Sequence, residues 1–310
     1  MLLQPERSES LTARAGTRHE RLRIAIGLAT AGRPHVAAET LSRLAAQSRP
    51  ADAIIVSVPT MDDLASGAAQ AAGAHILTGA HGLTRQRNSV IEALDGFDIV
   101  CFFDDDFVLH ADYLSAVELA FRTDPDLVCA TGTVVADGIT GAGLDFGQAE
   151  AALASTRPSG RPPVPTYNAY GCNMAFRMEP IRSAGLRFDE RLPRYGWLED
   201  VDFSRRIARF GGVARLPDAL GVHLGVKGGR QSGRRFGYSQ IANPIHLLRK
   251  GSYAWPRATW LMSRNIGMNL LFALKPEPHI DRRGRLAGNV RALRDLVLGR
   301  LAPERIETLP

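Results

Sequence analysis

The chain has 310 residues, 45% of them hydrophobic, and a formal net charge of +6. That size suits one large globular domain, with or without a C-terminal appendage, and no apolar run reaches the roughly 20 residues of a bilayer-spanning helix. The opening MLLQPERSES carries two early acids and no apolar centre, which argues against a secretory leader, and residues 1–20 read as a flexible polar tail.

Cys101, Cys129 and Cys172 sit singly in apolar stretches, as buried free thiols of a reducing compartment do, so a cytoplasmic protein is expected. Positive charge is concentrated. Residues 219–276 hold nine Lys or Arg and no Asp or Glu, so the rest of the chain is slightly acidic. A local basic field calls for a local anion: a diphosphate, a lipid headgroup or a polyanion.

In chain order, Leu22–Leu28 is a β-branched apolar run that reads as a buried strand ending in Thr-Ala-Gly-Arg-Pro. A helix follows over His35–Gln47, a strand over Ala53–Val58, a helix over Met61–Ala72 and a short strand over Ala74–Leu77. Thr84–Leu94 reads as a helix capped by Thr84, and Ile99–Phe103 as a strand closed by Asp104-Asp105-Asp106. Beyond it come a helix over Ala111–Phe121, a strand over Leu127–Thr131 and a long Gly- and Pro-rich loop over 137–165. Tyr170–Phe176 reads as a strand, Glu179–Ala184 as a short helix and Leu198–Phe210 as a helix stopped by Gly211-Gly212. Two more strands are expected at Val213–Leu216 and Leu220–Leu224. Such alternation implies βαβ units, a largely parallel sheet, and ligands at the strands' carboxyl ends.

Three adjacent carboxylates at a strand end repel one another and are costly to bury unless a cation compensates. Mg2+ or Mn2+, hard ions that prefer oxygen, suit such a site and can bridge the phosphates of a nucleoside diphosphate. A solvated acidic turn is the plainer alternative. A phosphatase of the haloacid-dehalogenase type would place its acids after the first strand, not the fourth. The second cluster, Glu199-Asp200-Val201-Asp202, opens a helix, where carboxylates favour the positive end of the dipole. Its approach through Arg194-Tyr195-Gly196-Trp197 adds aromatics that can stack a sugar and raise a carboxyl pKa. A general base within reach of a hydroxyl is what direct displacement at a sugar carbon requires.

Four motifs in order carry a family resemblance: Thr30-x-x-Arg33-Pro34, Gly82-x4-Arg87-Asn88, Asp104-x-Asp106 and Glu199-Asp200. Over about residues 22–225 the chain resembles the inverting, non-processive family 2 glycosyltransferases. The resemblance implies an α/β fold of the GT-A type: a doubly wound mixed sheet with helices on both faces. The expected division is residues 21–225 as the nucleotide-sugar-binding and catalytic domain, with 226–310 as a basic loop and helical extension. By resemblance, Thr30 and Arg33 line the nucleobase pocket, Arg87 and Asn88 lie near ribose and phosphates, and Asp104 with Asp105 belongs to the donor site. Asp106 ligates the metal, with His223 as a further ligand or diphosphate contact; a core histidine is the plainer alternative for His223. Asp200 is the base, and Glu199 places the acceptor. Processive relatives carry Gln-x-x-Arg-Trp, but here Gln231-Ser232-Gly233-Arg234 is followed by Arg235, so one sugar per encounter is expected.

The loop 225–237 reads either as a solvated basic loop or as a lid in which Lys227, Arg230, Arg234 and Arg235 clamp the leaving diphosphate. Two readings also stand for Tyr253–Leu274: packing on the core, or peripheral contact with the inner membrane face through its aromatics and arginines. Residues 283–300 read as a terminal amphipathic helix. The expected partners are a nucleoside diphosphate sugar and a saccharide or lipid-linked saccharide acceptor, in polysaccharide or other surface-glycoconjugate synthesis. A non-catalytic nucleotide-sugar-binding scaffold is the rival. Nucleic acid is not expected, because no reading module is present.

Overall fold

The computed structural model describes residues 21–228, 232–275 and 277–309; the 1–20 tail and Arg230 lie outside them. The strands are β1 (Ile24–Ala29), β2 (Ala53–Val58), β3 (Ala74–Thr78), β4 (Ile99–Asp104), β5 (Phe107–Leu109), β6 (Leu127–Asp137), β7 (Val164–Pro165), β8 (Asn173–Arg177) and β9 (Gly212–His223). The helices are α1 (Pro34–Ala45), α2 (Ala68–Ala71), α3 (Leu83–Ala93), α4 (Tyr113–Thr123), α5 (Phe146–Ser155), α6 (Met178–Ser183), α7 (Glu199–Ile207), α8 (Gly233–Lys250), α9 (Trp255–Ala273) and α10 (Arg282–Val297).

The strands form one mixed sheet in the order β3-β2-β1-β4-β8-β6-β9-β5, with β7 on β9. β3, β2, β1 and β4 run parallel, β8 is antiparallel to both its neighbours, and β6 is parallel to β9. Apolar side chains cover both faces, one cluster gathering Ile24, Ile26 and Phe103 and the other Val100, Phe102 and Phe176. Burial on two faces is why β1 and β4 are unbroken apolar runs. From β1 the order proceeds to β2 on one side and to β4 on the other. The switch point therefore opens at the carboxyl ends of β1 and β4, between Thr30 and Asp104.

Several expected elements change. Met61–Ala72 is not one helix: a single 3-10 turn at Met61–Asp63 and the short α2 are separated by Gly67 in the left-handed region, φ 76°. Thr60 and Asp63 form a capping box at the start of the 3-10 turn. Thr84 is not a cap; α3 begins at Leu83, and the buried Thr84 hydroxyl donates to the Leu192 carbonyl at 3.3 Å. The 137–165 loop contains α5, capped by Asp145 and Gln148, and the short β7. The two strands expected after Gly212 are one, with its register shifted against β6 between Leu216 and Leu220. β5 was hidden in the sequence because three residues carry no periodicity.

The C-terminal helices α8, α9 and α10 share a smaller core around Tyr238, Ile241 and Ala292. Gly237 and Gly288 let α8 and α10 touch: a Cβ on either would lie 2.0–2.1 Å from a carbonyl oxygen of the other helix. The layer is fastened to the start of α7. Lys250 bridges Asp189 at 2.6 Å and Asp202 at 2.9 Å, Ser252 donates to Asp202 at 2.6 Å, and Asn243 donates to the Trp197 carbonyl at 2.7 Å. No helix among the described residues is long and apolar enough to cross a membrane.

Candidate active site

Sheet register brings the first acidic cluster and a histidine together. β5 pairs antiparallel with β9 so that Phe107 faces His223, and β6 pairs with β9 so that Asp137 also faces it. Asp106, one residue before Phe107, therefore lies beside the imidazole. His223 Nε2 is 3.5 Å from Asp106 Oδ1, and Nδ1 is 3.0 Å from Asp137 Oδ1. The Tyr170 hydroxyl donates to Asp137 Oδ2 at 2.9 Å, completing a chain from tyrosine to acid to histidine to acid. Burial disfavours the imidazolium, but the bonds to Asp106 and Asp137 outweigh it and push His223 up to about 10.

The three adjacent aspartates part ways. Asp105 points into the protein: it accepts from the Thr30 hydroxyl at 2.6 Å and pairs with Arg33 Nη2, and Thr40 donates to its carbonyl at 2.6 Å. Its burial pushes its carboxyl up to about 7, against the pull of Arg33. Thr30 and Asp105 thus tie the strand ends to one another and to Arg33. Asp106 accepts from the Val226 amide at 2.8 Å and from Arg33 Nη1 at 3.3 Å. Burial raises its carboxyl, but His223 and these donors together hold it below the usual range. Asp104 faces the cleft; burial pushes it up, and Arg87 opposes that shift.

Arg87 is the hinge between the two acidic clusters. It is 1% exposed, pairs with Glu199 through Nη1, and donates from Nη2 to Asp104 Oδ1 at 3.0 Å and to the Gly171 carbonyl at 2.8 Å. Phe102 and Phe188 lie 5.8 and 5.5 Å from its guanidinium carbon. The planar fork satisfies two carboxylates from one buried charge, as lysine cannot. Removing a buried partner strands the others. Arg87→Met is therefore expected to cost about 3–5 kcal/mol in denaturant unfolding, with Arg87→Lys recovering part of it. Unfolding of Arg87→Met at the parent's midpoint would show that the triad is not holding α7 to β4. Asn88 is engaged elsewhere. It donates to the Phe188 carbonyl at 3.0 Å and Glu190 at 2.9 Å and accepts from the Phe188 amide at 2.8 Å, so it clamps a loop instead of facing a ligand.

Glu199 and Asp200 begin α7 directly after Leu198, whose φ of 74° is a left-handed conformation costly for a branched side chain. Glu199 is buried, with one oxygen on Arg87 and the other on the Asp200 amide. Both oxygens of Glu199 are thus engaged by protein donors at the wall of the cleft. Asp200 accepts from the Val201 amide at 2.8 Å and the Gly171 amide at 3.1 Å, and each oxygen keeps a second lone pair. Burial pushes its carboxyl up, with those amides and Arg87 opposing. The Gly171 backbone runs close to both acids: a Cβ there would lie 3.3 Å from Glu199 Oε1 and 3.6 Å from Asp200 Oδ2.

A cleft of about 150 Å3 joins these groups, lined by Asp104, His223, Glu199, Asp200, Tyr195 and Trp197 among others. Asp104, Asp106 and His223 each offer a ligand atom, all within 4.8 Å of one another. Two carboxylates and an imidazole, with Asp137 holding the second ring nitrogen, fit a divalent cation of the Mn2+ or Mg2+ kind. Among the described residues of the 225–237 segment, Lys227 precedes α8, and Arg234 and Arg235 belong to it. Lys227 donates to the carbonyls of Gly138 and Ile139 at 2.9 Å each, while Arg234 and Arg235 start α8, Arg235 Nε donating to the Leu309 carbonyl at 2.8 Å. Sequence reading missed Asp137 and Tyr170. The signal available was that a metal-ligating histidine needs an acid or carbonyl for its other nitrogen.

The doubly wound mixed sheet, with acids at the end of β4, has the fold of the GT-A class. The family model described as glycosyl transferase family 2 matches residues 26–185, more than half the chain, and the protein belongs to that family; it is a glycosyltransferase. The match ends before Glu199, Asp200 and His223, so their assignment rests on geometry. No curated protein sequence matches the chain. Among solved structures, the mannosyltransferase PcManGT from Pyrobaculum calidifontis, in complex with GDP-Man and Mn2+, aligns with TM-score 0.50 and 15% identity over 90% of this chain and 76% of its own. TarS 1-349 from S. aureus in complex with UDP-GlcNAc aligns with TM-score 0.55 and 14% identity, over 93% and 84%. GalNAc-T7 with UDP, GalNAc and Mn2+ gives 0.52 and 13%, over 73% and 51%. At these identities the likeness is one of fold.

Proposed function

We propose that the protein transfers one sugar from a nucleoside diphosphate sugar to an acceptor hydroxyl, saccharide or lipid-linked saccharide, with inversion at the anomeric carbon. The observation that carries this reading is the shared cleft, lined by Asp104 and His223, which converge with Asp106 within 4.8 Å, and by Asp200, whose carboxyl is pushed up by burial. Asp200 takes the acceptor proton as the acceptor oxygen bonds to the anomeric carbon and the bond to the diphosphate oxygen breaks. Asp104, Asp106 and His223 would hold a divalent ion, which supplies charge to offset the departing diphosphate. Arg87 and Glu199 keep Asp200 and Asp104 in fixed relation, and Tyr195 and Trp197 offer aromatic faces to a sugar ring.

A thermal-shift panel of UDP, GDP, dTDP and CDP, each with Mn2+, with Mg2+ and with EDTA, tests the reading. One nucleotide is expected to stabilise the protein, and only with metal, by about 2.7 kcal/mol at a hundredfold excess over its Kd. Equal stabilisation with EDTA would remove the cation from the site. No stabilisation by any nucleotide would favour a scaffold that has lost donor binding.

A further inference from the structure

The inward side of α9 is accounted for. Ala258, Asn269 and Ala273 are buried, and Asn269 donates to Gln240 of α8 and Asn289 of α10 at 2.8 Å each. The outward side is not. Trp260 is 64% exposed, Leu271 66% and Leu274 87%, with Leu270 at 61%. Trp260, Arg264, Gly267, Leu271 and Leu274 recur every three or four residues, so they form one stripe along the helix. Arg257 and Arg264 are exposed on the same side, Arg264 over the Trp260 ring at 5.6 Å and Arg257 over the Tyr167 ring at 4.1 Å, and the exposed Lys275 follows the helix end. No carboxylate occurs in residues 219–276. The next three acids are occupied: Glu277 pairs with Arg282, Asp281 caps α10 at Gly284, and Asp295 is buried with Arg305.

We infer that the outward face of α9 is a docking surface for an anionic lipid bilayer. Apolar side chains of this size, left in water in a row, mark a surface that meets something apolar. Tryptophan and leucine flanked by arginine and lysine are the chemistry of an amphipathic helix lying in a headgroup layer, the rings at the acyl boundary and the cations on the lipid phosphates. A nucleic acid would use the cations and leave Leu270, Leu271 and Leu274 wet. A second copy of the chain would bring two acid-free basic faces together across a twofold axis, where like charges oppose association. The surface is independent of the transferase reading and stands or falls separately from it.

Sedimentation with vesicles tests this, using phosphatidylcholine alone and phosphatidylcholine mixed with phosphatidylglycerol. The full chain is expected to pellet with the mixed vesicles, to stay in the supernatant with the neutral ones, and to be released by rising sodium chloride. Each exposed cation removed should weaken partition about fivefold, so Arg257→Glu with Arg264→Glu is expected to abolish pelleting. Trp260→Ser with Leu271→Ser should weaken it at least roughly tenfold. Trp260, Arg264 and Leu271 are exposed, so their variants should melt like the parent; Arg257 is exposed but lies over the Tyr167 ring at 4.1 Å, so Arg264→Glu alone, expected to weaken partition at least about fivefold, gives the charge test without that contact. Brominated lipids should quench the parent's tryptophan fluorescence without any substitution. The inference is overturned by failure to pellet with anionic vesicles at low salt, by equal pelleting on both vesicle types, or by pelleting that both double variants retain. A dimer in solution that these variants dissociate, without vesicle binding, would assign the face to a second copy instead.

Discussion

Asp200→Asn is expected to lower the transfer rate by about 10²–10⁴-fold, the range a positioned general base contributes, while leaving donor nucleotide affinity within about twofold of the parent. The substitution keeps the shape and the acceptors for the Val201 and Gly171 amides on at least one oxygen, so the α7 turn should hold. It removes only the site that takes the proton. Transfer is followed with the donor found by the nucleotide panel, and donor affinity by calorimetry. Substantial retained transfer would remove Asp200 as base. The pH profile gives a second reading of the same residue. Burial raises the Asp200 carboxyl, and a base works only when ionised, so parent activity should fall on the acid side at a pH above the ordinary carboxylate range. Activity should rise as pH increases through the raised value, and the residual rate of Asp200→Asn should lack that limb.

Asp106→Ala should abolish the metal-dependent part of nucleotide binding. Asp106 is one of three groups that converge within 4.8 Å, and its other oxygen already serves the Val226 amide and Arg33. Losing it removes a ligand and also frees two donors, so some stability goes too, about 1–3 kcal/mol for the stranded groups. Asp137→Asn separates these effects. It leaves all three ligand atoms in place but weakens the carboxylate that orients His223 through Nδ1. A partner of that kind changes metal affinity by about 10–100-fold, and titrating Mn2+ against the nucleotide-bound protein reads it. If Asp137→Asn binds metal like the parent, His223 is not a ligand, and the site reduces to the two aspartates.

Much of the chain's organisation was legible in order. The apolar runs of β1, β2 and β4 announce strands buried on both faces, and the acids after β4 mark the carboxyl end of the sheet, because burial patterns and strand ends are local properties. The same locality explains the misses. Gly67 broke a helix whose hydrophobic spacing looked continuous, and a capping box at Asp145 made a helix inside a stretch whose Gly and Pro content suggested a loop.

By itself the sequence determined the class of sheet and the family, and it singled out two acidic clusters, since strand-end carboxylates and a Glu-Asp pair at a helix start can be read without their partners. Only the tertiary structure decided what each of those residues does. Asp104, Asp105 and Asp106 are adjacent in the chain, yet one faces the cleft, one is locked to Thr30 and Arg33, and one meets a histidine more than a hundred residues away. Asp104 ends β4 while Asp105 and Asp106 form the turn into β5, so their side chains diverge, and the pairing of β5 and β6 with β9 is a long-range choice. Arg87 shows the same division: its motif is local, but its role as a buried bridge exists only because α7 returns Glu199 to the end of β4.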